Sequence, residues 1–304
     1  MQYFDFKMPN DFNLFCMGDD HCGSRMRYAD GFKIFKDLLT SESFDLPAKK
    51  NFFMHSGDIA EMVFFDDKRY FPSSIPDTGQ NVLDQIEFVV SEYSDIKEKM
   101  LFLLDGNHTY REGFRSFGAI TTEIARRLGV NYGTWSSRST YRDKKGGVMF
   151  RQFATHSRAN IRSRVRPWRR AKTNKEIAVK QYLEYKSADC LLNTLGHCHQ
   201  LLCYRPENRL YLHGEDHRVQ SRHATPADWH GDLRFIPEGF RYYVSTGSFY
   251  KLYGPQGTVS YAEIAGFDPI ELGFAVAKVR DQKLVGVDLI AVDNDVKHGY
   301  EIIE

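Results

Sequence analysis

Five times along this chain a short apolar run breaks off into polar residues whose side chains can bind a metal ion. Leu14 to Met17 leads into Gly18-Asp19-Asp20-His21, Phe52 to Met54 into His55-Ser56-Gly57-Asp58, and Met100 to Leu104 into Asp105-Gly106-Asn107-His108. Val148 to Phe150 with Phe153 leads into Thr155-His156, and Cys190 to Leu192 with Leu195 leads into Gly196-His197-Cys198-His199. Short apolar runs bounded by turn residues read as buried strands. Between two of them, Val82, Leu83, Ile86, Val89, Val90, Tyr93 and Ile96 recur at helical spacing and form one apolar face. Weaker helical patterns cover 30–41, 116–129 and 175–187, and strand-like segments recur near 208–213, 241–246, 273–280 and 283–291. Residues 213–240, rich in His, Pro, Gly and charge, read as a long loop or surface insertion.

Strands alternating with helices predict a layered α/β fold. The expected architecture is a sandwich of two sheets flanked by helices, with residues 1–304 forming a single domain. Ligands bind at the carboxyl ends of strands in such folds, and here five successive strand ends carry Asp, Asn or His. Composition supports a sizeable core: 42% of the residues are hydrophobic and 27% charged. The five cysteines (Cys16, Cys22, Cys190, Cys198, Cys203) form no CxxC pair and are odd in number, which fits reduced thiols in a cytoplasm. Neither a long apolar span nor a signal-peptide stretch near Met1 is evident, so a cytoplasmic protein with no membrane partner is expected.

The net charge of +1 excludes a polyanion binder by bulk charge, so nucleic-acid affinity requires a local patch. One stretch qualifies. Residues 158–175 contain Arg158, Arg162, Arg164, Arg166, Arg169, Arg170, Lys172 and Lys175 and no acidic residue. It begins two residues after His156, at the rim of the expected site. Arginine forks suit phosphate oxygens, and Trp168 among them could stack on a base. A solvated face explains such a run equally well.

The ordered blocks Asp19-x-His21, Gly57-Asp58, Gly106-Asn107-His108, His156 and Gly196-His197-x-His199 resemble the calcineurin-like metallophosphoesterase superfamily, over residues 14–199. The resemblance implies two divalent ions per chain. One would be held by Asp19, His21, Asp58 and His199, the other by Asp58, Asn107, His156 and His197, with Asp58 bridging. His108 would be the catalytic residue facing the substrate phosphate or leaving oxygen, and not a ligand. Mixed oxygen and imidazole donors favour manganese above all, with iron, zinc or nickel as alternatives, over calcium. No other cofactor is implied. Two ions carry four positive charges against two from Asp19 and Asp58, and a hydroxide and a phosphodiester anion would neutralise the remainder.

Two positions depart from the family pattern. Thr109 follows Asn107-His108 where relatives commonly carry an acid, so an acidic partner for His108 must come from elsewhere. Asp58 is followed by Ile-Ala-Glu-Met and not by Asp-Arg-Gly, which argues against the phosphoprotein-phosphatase branch. Gly57, Gly106 and Gly196 are expected to allow positive φ and close backbone approach. His55 reads as structural, His213, His217, His223 and His230 as surface histidines, and Cys198 as a small filler. Asp66 to Tyr70 read as a loop near the site. The expected activity is hydrolysis of a phosphodiester by a metal-bridging hydroxide, with nucleic acid as first substrate. A phosphatase or phosphodiesterase acting on a small nucleotide or a phosphoprotein is the alternative. A non-catalytic binding protein on the same fold is the lesser one, and an intact ligand set argues against it.

Overall fold

The structure is a computed structural model, and it describes all residues except 75–80, 113–118, 216, 255–256, 294–297 and 304. It is mixed α/β. Its larger sheet has seven strands, β2 (Phe12–Met17), β3 (Asn51–His55), β4 (Met100–Leu103), β5 (Asn131–Tyr132), β13 (Gly273–Arg280), β14 (Lys283–Val292) and β15 (Tyr300–Ile303). Their spatial order is β15-β14-β13-β2-β3-β4-β5. The β2 to β5 strands run parallel, and β13 pairs antiparallel with β2. The second sheet has six strands, β1 (Gln2–Lys7), β6 (Ser136–Arg142), β7 (Val148–Thr155), β8 (Leu192–Leu195), β9 (Leu201–Tyr204) and β12 (Tyr242–Thr246), in the order β1-β6-β7-β8-β12-β9.

Alternation along the strands builds the layers, because successive side chains point to opposite faces. In β2, Phe12, Leu14 and Cys16 join the core that lies between the two sheets, where they meet Tyr141, Phe150, Leu192 and Val244 of the other sheet. Phe15 and Met17 point the other way, into a second core with Phe32 and Phe35 of α1 (Ala29–Thr40), Ile86 and Val89 of α2 (Val82–Tyr93) and Ile124 of α4 (Ile120–Leu128). The outer face of the six-stranded sheet uses Phe153, Leu195 and Tyr243 to pack Val179 and Leu183 of α5 (Trp168–Leu183). Helices thus cover both outer faces of two stacked sheets.

Three expectations from the sequence need correction. The segment 213–240 is not a loop throughout: β10 (Arg209–Glu215) and β11 (Arg218–Ala224) form an antiparallel hairpin. The strand-like segment near 208–213 is β10, whereas β11, with Val219 exposed and no buried face, was not marked in the sequence. Helix α5 begins at Trp168, one residue after Pro167, and ends at Leu183, well before 187. The second half of the basic stretch is therefore helical. Helix α4 covers 120–128 of the expected 116–129, and residues 116–118 lie outside the described residues. No described helix is long and apolar enough to cross a membrane. All five cysteines are free thiols.

Candidate metal centre

The carboxyl ends of β2, β3 and β4 in one sheet, and of β7 and β8 in the other, converge. From β2 the chain runs out to Asp19 and His21, and from β3 to Asp58. These two loops continue side by side: Asp19 N–H donates to Gly57 O at 3.0 Å, His21 N–H to Asp58 O at 3.0 Å, and Glu61 N–H to Cys22 O at 2.8 Å. Beyond β4, the short helix α3 (Asn107–Glu112) opens on Asn107 and His108. His156 directly follows β7, with its N–H on Trp135 O at 2.9 Å, and His197 and His199 follow β8.

All seven residues expected as ligands meet in one constellation. Asp19, His21 and His199 place donor atoms within 4.8 Å of one another, and so do Asp58, His156 and His197. Asn107 Oδ1 is 3.3 Å from His156 Nε2, and Asp58 Oδ2 is 3.1 Å from it. His21 Nε2 and His199 Nε2 are 3.3 Å apart, and Asp19 Oδ1 is 3.3 Å from His199 Nε2.

Partners outside this set aim the rings. His21 Nδ1 bonds Glu61 Oε2 at 2.7 Å, and His156 Nδ1 donates to Ser56 O at 2.8 Å. With Nδ1 so engaged, each Nε2 is turned to the centre, the pattern that fixes tautomer and direction in metal-ligating histidines. Carboxylate oxygens and imidazole nitrogens face one another at 3.1 to 3.3 Å, distances that a ring N–H also satisfies. The same buried groupings could hold a metal ion.

A third grouping, His21 with Asp58 and His108, also satisfies the distance criterion. His108 has no nitrogen to spare for an ion. Its Nδ1–H donates to Glu61 O at 2.5 Å, while Nε2 accepts from Arg69 Nη1 at 2.7 Å. Its backbone N–H donates to Asp58 Oδ1 at 2.9 Å. In this arrangement both ring nitrogens of His108 have partners within the protein. The acid that orients this region is Glu61, which bonds the His21 ring and lies 3.8 Å from His108 Nδ1. Thr109 serves a different purpose, donating to Asp105 Oδ1 at 2.8 Å in a buried cluster with Thr121.

The backbone is strained where the donors sit. Asp19, His21, Asp58, His197 and His199 all adopt positive φ, between 50° and 78°. Non-glycine residues hold that conformation only when their surroundings over-determine it. Of the three glycines named above, Gly57 has a positive φ of 107°. Gly106 does not. It is small because a Cβ there would lie 2.0 Å from Asp58 Oδ1 and 2.2 Å from Asp58 N. Gly196 likewise abuts Ser56 O, at 2.6 Å from an added Cβ.

Electrostatics follow from burial and pairing. Burial acts to raise the Asp19 carboxyl, but the His199 charge and hydrogen bond prevail and hold it at about 2. Asp58 is held far below the carboxylate range against its own burial, by His156 and His108. Burial pushes His156 down, yet Asp58 and Asp19 raise it to about 9. Burial lowers His108 and His197 to about 4, so both are neutral near pH 7. Asp20, next to Asp19, is consumed elsewhere: Arg27 grips both its oxygens at 2.9 and 3.0 Å, and Tyr93 and Cys22 donate to Oδ2.

Residues outside the centre sort clearly. His55 is buried beside Tyr93, accepts from Gly57 N–H at 3.2 Å and holds no described ligand position. His213 and His223 lie on the hairpin, His217 in its turn, and His230 Nε2 accepts from Leu284 N–H. Arg158, Arg162, Arg164, Arg166, Trp168, Arg169 and Arg170 are all exposed. Arg162 lies over the Phe267 ring, 5.3 Å from its centroid. A cleft of about 270 Å³ opens at Gln200, the residue after His199, and is lined by Trp168, Lys172, Lys175, Ile270 and Glu271. Glu61 is the participant that the sequence reading missed, while Arg69 lies in the loop 66–70 that it placed near the site without a supported role. No family model matches the chain, and no curated protein matches it significantly.

Proposed function

We propose that this protein is a metal-dependent phosphoester hydrolase of the calcineurin-like metallophosphoesterase type, acting on a phosphodiester, with a polynucleotide as first substrate. One observation carries the reading: seven Asp, Asn and His side chains, delivered by five strand ends of two sheets, present their lone pairs to a common centre. Two divalent ions held there, with manganese favoured, would activate water and polarise a phosphoryl oxygen. The chain's own residues supply the rest. Asp58 groups with His156 and His197, and its carboxylate also lies within 4.8 Å of the His21 donor of the other group, so it would be the residue shared by both ions. Glu61 and Ser56 O hold His21 and His156 in the ligating tautomer. His108 is held beside Asp58 by its backbone N–H and by Nδ1, and its Nε2 would exchange the Arg69 bond for the phosphoryl group.

The basic rim favours a polymer. Trp168 and Lys172 line the cleft that opens at Gln200, and the exposed Arg169 and Arg170 lie on the same helix. The small volume of that cleft favours the second reading, a phosphodiesterase or phosphatase for a single nucleotide. Activity that rises with polynucleotide length supports the first reading, and indifference to length supports the second. The decisive test is hydrolysis of a small chromogenic phosphodiester by manganese-loaded protein. His108→Ala should lower the rate by roughly 10²–10⁴ while metal content stays the same. A loaded wild type inert toward every phosphoester sinks the proposal, and loss of metal in His108→Ala moves His108 into the ligand shell.

A further inference from the structure

The loop after Asp58 carries a basic feature that the ligand blocks do not use. Asp67 is buried and grips Arg69 at two points, Nε to Oδ1 at 3.1 Å and Nη2 to Oδ2 at 2.8 Å, with the Arg69 backbone N–H on Oδ1 at 2.9 Å. Arg111, near the end of α3, donates to Asp67 Oδ2 at 2.6 Å. One carboxylate thus holds two guanidiniums, and the cluster keeps a net positive charge. The two-point fork fixes the guanidinium plane. In that plane Arg69 Nη1 reaches His108 Nε2 at 2.7 Å. Of the five N–H donors of a guanidinium, described residues engage three, leaving one on each terminal nitrogen of Arg69.

Glu61 gives this cluster its significance. Its carboxylate is buried against the His21 ring, and it adds a third negative charge to those of Asp19 and Asp58. Together the three offset three of the four positive charges of two divalent ions. An attacking hydroxide offsets the fourth, so the centre alone retains no charge for a phosphodiester anion. The net charge of the Asp67, Arg69 and Arg111 cluster restores it, one side chain away from Asp58.

We propose that Arg69, held by Asp67 and flanked by Arg111, forms an anion subsite that takes a non-bridging oxygen of the substrate phosphoryl group. The inference rests on the phosphoesterase reading of the centre. Arg69 binds the substrate while His108, which it touches, lies against the same group. The test is calorimetric titration of the manganese-loaded full chain with inorganic phosphate. Arg69→Gln should weaken phosphate binding by roughly 10- to 100-fold, the range of a charge-assisted hydrogen bond, with manganese content unchanged by elemental analysis. Arg69→Lys keeps the charge and loses the fork, and should fall between. Wild type that binds phosphate while Arg69→Gln binds it equally well overturns the subsite and leaves the phosphoesterase reading standing. Wild type that neither binds phosphate nor cleaves a phosphoester overturns both. Should Arg69→Gln show no cooperative melting transition, Arg69→Lys carries the comparison, and unchanged affinity in it overturns the subsite.

Discussion

Gly106→Ala probes the centre without replacing a donor residue. The added Cβ would sit 2.0 Å from Asp58 Oδ1, 2.2 Å from Asp58 N and 2.7 Å from Asp58 Cγ, where ordinary contact begins near 3.4 Å. Either the loop after β4 or the loop after β3 must therefore move by more than about 1 Å. Relief by side-chain rotation is closed, because one of the blocking atoms is backbone. Overpacking of this kind costs about 1–3 kcal/mol, and a backbone obstacle argues for the upper end. With an unfolding entropy of about 2.1 cal/mol/K per residue, 304 residues convert about 3 kcal/mol into a fall of about 5 °C in Tm. The metal effect should be larger. Ligand distances must hold within about 0.2 Å, and Asp58 groups with His156 and His197 and lies within 4.8 Å of the His21 donor as well, so a shift of about 1 Å should empty the first position and weaken the second. Elemental analysis after manganese loading should show about two ions per wild-type chain and fewer than about one in the variant. Gly106→Ala that keeps both ions and melts within about 1 °C of wild type refutes the argument and the close approach behind it.

Glu61→Gln removes the anionic partner of His21 while keeping its shape, and metal affinity should drop by roughly 10- to 100-fold, read by competition with a chelating dye; unchanged affinity removes Glu61 from the centre. Replacing Arg164, Arg166, Arg169 and Arg170 together with Ala should lower the logarithmic salt slope of single-strand binding by up to roughly 3 units, at about 0.7 per phosphate contact. Cleavage of a small diester should persist in that variant. If polymer cleavage persists with an unchanged salt slope, the exposed arginines are a solvated face and the polymer reading loses its support.

The donor set was legible in the sequence because each block is short, local and preceded by an apolar run, so strand and ligand announce each other. Glu61 was missed although a signal existed. It is an acid inside the run Ile59-Ala60-Glu61-Met62-Val63, all of it buried, and a buried carboxylate requires a partner. Arg69 sits in a charged loop with no periodicity, and only the fold brings it to His108. Strand β6 escaped because its inward positions include Ser137 and Ser139, which break the apolar alternation. Strand β11 escaped for the opposite reason, having no buried face. The start of α5 was read late because residues 168–174 contribute no apolar stripe, the first buried side chains being Val179 and Leu183.

The centre is also a fastening across the chain's own history. His21 and His199 are 178 residues apart in sequence, and Asp58 and His156 are 98 apart. Donors so distant are brought together only by the stacking of both sheets, across loops of high closure cost. A cation seated there would act as a cross-link between the two sheets. It would add stability in proportion to the logarithm of its free concentration over its dissociation constant. The resistance of this protein to heat or proteolysis would then track the supply of metal around it.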